Sequence, residues 1–382
     1  MKGLCAAGIT LAARTIAERS TRRMNTIPRA FVLGTCLAAL AVLSGCTSVG
    51  PRTIQGDRFD YGTSVQKSFE EQLLLNMVGL RYGRAPSFIE VSSIINSYSL
   101  EGSVSAGGGL NSSISGSNTA SIGGASRWAG KPTITYVPTR GRTFTQNLLT
   151  PIPPASLYGL FQSGWPADLV FGLGANAING IENSNGGNVS RRQVDPLFYE
   201  VCQAMDRVNR SRALGVRQVT REDGTSYLIV FPSREELDTE VVDAIGFLQE
   251  TLGLGKGTEE FELVYGAHSR ADNEIALLSS SILDMMIKMS AYFEIPPEHI
   301  ADGRATPTAD YRTLPANAPY INVRYSPEEP EDAVVKVRRR DTWFYIDDKD
   351  FASKRTFAVL LIFLSLAETG QNEGGPALTI SQ

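Results

Sequence analysis

Between Tyr98 and Trp128 the apolar side chains fall almost without exception on even-numbered positions. Tyr98, Leu100, Val104, Leu110, Ile114, Ile122 and Trp128 share that parity. The odd positions carry mainly Ser, Gly, Asn and Thr, with Glu101 and Arg127, and Ala125 is their one apolar residue. Successive side chains of a strand point to opposite faces. A period of two kept over about thirty residues therefore predicts a β ribbon with one apolar and one small polar face. The length suits two strands of about ten residues each, with a tip near 112–117.

About 9–11 tilted strand residues cross a bilayer. In a membrane hairpin Tyr98 and Trp128 share one end, at the depth where interfacial aromatics belong, and the small polar face suits a water-filled lumen. One hairpin cannot span lipid alone, because its edges carry unpaired backbone groups. This reading predicts a ring of protomers, each giving one hairpin to a shared barrel. The architecture is similar to that of the curli secretion channel, with which the chain shares no motif; the likeness is one of architecture alone. A second reading stays open: a Gly/Ser/Asn-rich surface loop, or a soluble, overlong hairpin.

The stretch Met24–Cys46 has Arg29 as its charged lead, an uncharged apolar run from Phe31 to Leu43, and the close Leu43-Ser44-Gly45-Cys46. The run is too short for a mature membrane helix and right for a signal-peptide core. The close resembles the bacterial lipobox of type II signal peptides. That resemblance implies diacylglycerol on Cys46, removal of residues 1–45, and acyl chains sufficient for stable anchoring. Thr47 stands where enterobacterial lipoproteins kept in the inner membrane carry Asp, which implies the outer membrane, facing the periplasm. Met1–Arg23 precedes a complete signal peptide, so Met24 is the expected true start.

The 382 residues are enough for two ordinary domains, and the apolar and charged fractions of 42% and 20% are those of a folded protein. Net charge is −4. Lys2, Arg14, Arg19, Arg22, Arg23 and Arg29 precede Cys46 against Glu18 alone, so the mature chain is the more acidic part. That balance argues against nucleic-acid binding. Cys202 is the single cysteine of the mature body, which leaves no internal disulfide. The two histidines exclude a His-rich metal site, and no cofactor is expected.

The expected fold class is α+β. A tether spans 46–57. A helix and the Gly/Ser-rich ribbon occupy 58–190, and an α+β domain fills 191–382. Within these, a helix is expected from Ser64 until Pro86 stops it, and another from an N-cap at Asp195. Ser233 to Glu236 reads as a capping box, and Asp272–Phe293 as one long helix. Strand pairs are expected at 215–220 with 225–231 and at 333–339 with 342–347. The run Phe357–Leu364 reads as a buried helix, too short to span lipid.

The chemical motifs are weak. His268, Ser269 and Asp272 lie too close together for a triad assembled from separate elements, and read as a loop entering a helix. Gly253 to Thr258 lacks the Ser or Thr that follows the lysine of a phosphate loop and reads as a helix end. Asp347, Asp348 and Asp350 depart from the EF-hand pattern. Lys336, Arg338 and Arg340 alternate onto one strand face as a solvated stripe, and Cys202 reads as a buried apolar residue. No catalytic set emerges. The expected function is therefore non-enzymatic: a lipid-anchored subunit of a cell-envelope assembly, homo-oligomeric or joined to envelope partners, with a pore formed through the 98–128 hairpin. The alternative is a monomeric binding module for a cell-wall or polysaccharide ligand, with Trp165, Tyr158 and Phe161 as an aromatic platform.

Overall fold

The computed structural model describes residues 50–109, 119–139, 142–183, 194–221, 224–232 and 237–368. Cys46, Leu110, Ile114 and the capping box at 233–236 lie outside them.

The fold is α+β. Helix α1 (Gly50–Arg81) opens it. Pro51 stands in the first turn, where a missing N–H breaks no helical bond. The segment expected as a tether to residue 57 is thus helical from Gly50, and the helix begins well before Ser64. Leu73, Leu74, Met77 and Val78 are fully buried, at the i, i+4 spacing of one face. The helix ends at Arg81, before Pro86. There the N–H of Arg84 bonds the Gly79 carbonyl and Gly83 takes φ +69°, the left-handed conformation that closes helices.

Strands β1 (Phe88–Gly109) and β2 (Thr119–Thr139) follow and, among the described residues, pair only with each other, as a two-stranded sheet. Helices α2 (Arg142–Leu149), α3 (Pro154–Gln162) and α4 (Ala167–Gly174) lead into the body. Its sheet has β3 (Ala175–Ile178) and β4 (Ile181–Glu182) at one end. Helix α5 (Pro196–Arg210) precedes the hairpin of β5 (Gly215–Arg221) and β6 (Gly224–Val230). Helix α6 (Thr239–Thr251) then precedes β7 (Glu260–Tyr265) and β8 (Glu274–Ser279). The strand order is β4-β3-β8-β7-β6-β5, with only β7 and β8 parallel among these neighbours. Strands from both sides of residue 190 share this sheet, and Thr63 onward forms one compact unit. The expected division at 190–191 therefore separates no two sheets.

The long helix expected over Asp272–Phe293 is instead β8 followed by α7 (Ile282–Ser290). Ile275, Ala276 and Leu277 are buried in a strand that lies between β3 and β7. A strand covered on both faces reads as an unbroken apolar run, which short-range periodicity cannot tell from a buried helix. Ser281 caps α7, its hydroxyl accepting from the Asp284 N–H at 3.2 Å. Asp195 caps α5 as expected, accepting from the Leu197 N–H at 3.0 Å.

After the short α8 (Pro297–Ala301), β9 (Arg324–Ser326), β10 (Ala333–Arg339) and β11 (Thr342–Asp347) form a second sheet in the order β10-β11-β9. Asp350 accepts from the Ser353 N–H at 3.0 Å, at the start of α9 (Phe351–Glu368). Phe357, Val359, Leu360, Phe363 and Leu364 of α9 are buried core. Among the described residues no helix is long and apolar enough to cross a membrane.

Candidate functional site: the ribbon and its root

The ribbon is about twice the expected length. β1 has 22 residues and β2 has 21, or about 70 Å at about 3.3 Å per residue. The alternating segment is its outer half. In the root, 88–97 with 131–139, β2 keeps its apolar residues at even positions, with Val137 the exception, whereas β1 does not keep one parity.

Register explains the missing alternation. From Ser93↔Thr135 to Gly109↔Thr119, even positions of β1 stand opposite even positions of β2, including Leu100↔Trp128 and Val104↔Gly124. Nearer the root, Ile89↔Pro138 and Val91↔Tyr136 pair odd with even, because the register shifts between Val91 and Ser93. This bulge inserts Ser92 on one strand only. It moves the apolar face of β1 from odd positions, Ile89 and Val91, to even ones from Ile94 onward. By the pleat, the positions of Ile89, Val91, Tyr136, Ile94 and Ile134 continue the face that holds positions 98, 100, 122 and 128.

Two devices hold the root. Phe88 is buried, with its ring centroid 6.3 Å from that of Phe69 and 5.9 Å from that of Phe144. Beside it, two amides of α1 treat the outer edge of β1 as a neighbouring strand would. Gln72 Nε2 donates to the Ile89 carbonyl at 3.1 Å, and the Ile89 N–H donates to Gln72 Oε1 at 2.7 Å. Asn76 Nδ2 donates to the Ser87 carbonyl at 2.8 Å, and the Ser87 N–H donates to Asn76 Oδ1 at 2.9 Å. The fit is geometric: four helical residues rise about 6.0 Å and two strand residues about 6.6 Å. Gln72 meeting Ile89 while Asn76 meets Ser87 also means that α1 runs antiparallel to β1 here.

Much of the root is open to solvent. Ile89, Ile95, Ile134, Tyr136 and Val137 are all exposed, and every residue from Lys131 to Pro138 is exposed. A two-stranded hairpin by itself is marginal in water, and a free strand edge is a template for pairing.

A cleft of about 610 Å³ lies between α1 and the ribbon root, walled by Leu75, Ile89, Val91 and Tyr136, with Arg84 and Arg339 among its lining. The Arg339 guanidinium stacks 3.7 Å from the Tyr82 ring centroid. Burial lowers its pKa, the Tyr82 hydroxyl opposing and neighbouring arginines adding to the shift. The Tyr82 hydroxyl is 2.7 Å from His299 Nδ1, and burial raises its pKa. This cluster fixes the junction of α1 with β10, and so the platform from which the ribbon leaves.

The aromatic platform is not formed. Tyr158 and Phe161 are buried and pack edge-on against Phe171, at 5.0 and 5.5 Å between centroids, while Trp165 is partly buried against the core. Three aromatics within eight residues of a helix-rich stretch were an apolar face. The other candidates fall into structural roles. Asp272 accepts the Gly255 N–H on its carbonyl, away from any helix start. Gly253 at φ +67° ends α6. Asp347 pairs with Arg324, Asp348 with Lys354, and Asp350 caps α9. Lys336 pairs with Glu329 and lies over the Trp343 ring. Cys202 is buried, and desolvation pushes its thiol well above the ordinary range. Among the described residues no group of His, Cys, Asp and Glu is placed to hold a metal ion.

Comparison with protein-family models, curated proteins and solved structures gives no match.

Proposed function

We propose that the protein is a lipid-anchored, homo-oligomeric subunit of a cell-envelope assembly in the outer membrane, whose ribbons join into a shared barrel and form a pore. The observation that carries this reading is a hairpin of 22- and 21-residue strands that, among the described residues, pair only with each other, with the apolar positions of the outer half almost all on one face. Such a ribbon satisfies its edges and buries its apolar face when copies of it stand side by side.

Dimensions support the outer half as the lipid-crossing part. Tyr98 to Gly109 extends about 40 Å, and a tilt near 40° brings that to about the 30 Å of a hydrocarbon core. The root then stands clear of the lipid as a stem. The competing reading, a monomeric binding module, loses its platform with the burial of Tyr158 and Phe161.

The test is the mass of the lipidated protein in mild detergent, by light scattering, followed by conductance across planar bilayers. A defined ring-sized particle with discrete conductance steps is expected. A monomer, or a ring with no conductance, overturns the pore.

A further inference from the structure

We infer that copies of this chain pair edge to edge only along the outer half of the ribbon, 98–109 with 119–128, and that the root is built to refuse such pairing on both edges. The inference rests on the oligomeric reading above and goes further, to where the second copy docks.

In an antiparallel pair, alternate residues point their N–H and C=O away from the partner strand, toward the open edge. Ile89 is such a residue, since both of its backbone groups go to Gln72. On the β1 side of the root, then, the outward groups at Ser87 and Ile89 are already taken by α1. Pro138 stands opposite Ile89, so it too points outward. β2 is the strand without the extra residue, and its alternation continues unbroken through 136, 134 and 132. Pro132 and Pro138 therefore both occupy outward positions of β2, and each presents an edge with no donor. Proline at edge positions deters strand addition while leaving the inner ladder intact. Between Thr119 and Gly130 there is no proline, and none in β1.

The root thus carries a block on each edge: amides at Ser87 and Ile89, at the base of β1, and prolines at 138 and 132 of β2, the second standing just below the alternating segment. The partner that fits the remaining edges is a second copy of the same hairpin. In a ring β1 of one protomer lies beside β2 of the next, running antiparallel, so each outer edge meets one of the opposite direction. The consequence is a barrel continuous only at lipid depth, standing on separate two-stranded stems.

Proline substitution at outward positions tests this in the full lipidated chain. Ser126→Pro removes an outward donor in the outer half, and Ile134→Pro removes one in the root. Expected is a fall to monomer mass for Ser126→Pro, an unchanged ring for Ile134→Pro, and an unchanged melting temperature of the body for both. Ser126→Thr, which keeps the donor, retains the ring. If Ile134→Pro breaks the ring, alone or as Ser126→Pro does, copies pair along the root and the inference is wrong while the oligomer stands. If neither proline affects the ring, subunits join elsewhere and edge pairing is overturned. A monomeric wild type removes the oligomeric reading itself.

Discussion

Replacing Gln72 and Asn76 together by alanine separates the amide clamp from the aromatic plug at the ribbon root. The double variant removes four hydrogen bonds, of 3.1, 2.7, 2.8 and 2.9 Å. Each contributes about 0.5–1.5 kcal/mol net, and water can reach these exposed groups once the amides are gone, so about 0.5 kcal/mol apiece is the working figure. The sum of about 2 kcal/mol corresponds to about 30-fold in the local opening equilibrium. The Ser87 and Ile89 amides report that opening, since their N–H groups donate to the two side chains. Hydrogen exchange by mass spectrometry on the peptide around residues 86–92 is therefore expected to speed up by about that factor. Peptides from α5 and β8 should stay unchanged. Gln72→Glu sharpens the test: its carboxylate still accepts from Ile89 but sets a second oxygen against the Ile89 carbonyl. Exchange at Ile89 should then accelerate although the side chain is nearly the same shape. Unchanged exchange at 86–92 in the double variant would refute the clamp and leave Phe88 to hold the root.

Phe88→Ala empties a site between Phe69 and Phe144 and should cost about 3–5 kcal/mol, read by urea unfolding; a loss under 1 kcal/mol would mean the root is not packed. Burial raises the Asp168 carboxyl, with Asp206 close by and also raised by burial. A carboxyl raised on folding favours the folded state below its ordinary value and loses that contribution as pH climbs through the raised one. Asp168→Asn should therefore melt higher than wild type at pH 7, with the gain fading toward about pH 4, and parallel melting curves over that range would count against it. Cys46→Ser should release the protein from the membrane fraction; full retention would remove the lipid anchor from the proposal. In liposomes the segment 98–128 should resist protease while remaining cleavable in free protein, and equal rates in both would exclude lipid insertion.

The sequence by itself determined what depends on local period and local chemistry. The even parity of Tyr98 to Trp128 stated a ribbon, Asp195 announced its helix, and the charge-free run in α9 declared a buried helix. These features are decided within a turn or a strand, so neighbours in the chain are enough. Tertiary structure decided the rest. Whether the run from Glu274 to Ser279 became strand or helix depended on β7 and on β3, which flank it in the sheet, β3 from a distant part of the chain. Tyr158 and Phe161 were exposed or buried according to where α4 and its Phe171 packed. The ribbon root stayed hidden because a single inserted residue, Ser92, reverses the parity halfway along, and because the groups that secure its edge lie on a helix eleven and seventeen residues away. A strand pattern records which face meets solvent; it does not record which edge is already bonded, since that depends on backbone groups common to every residue.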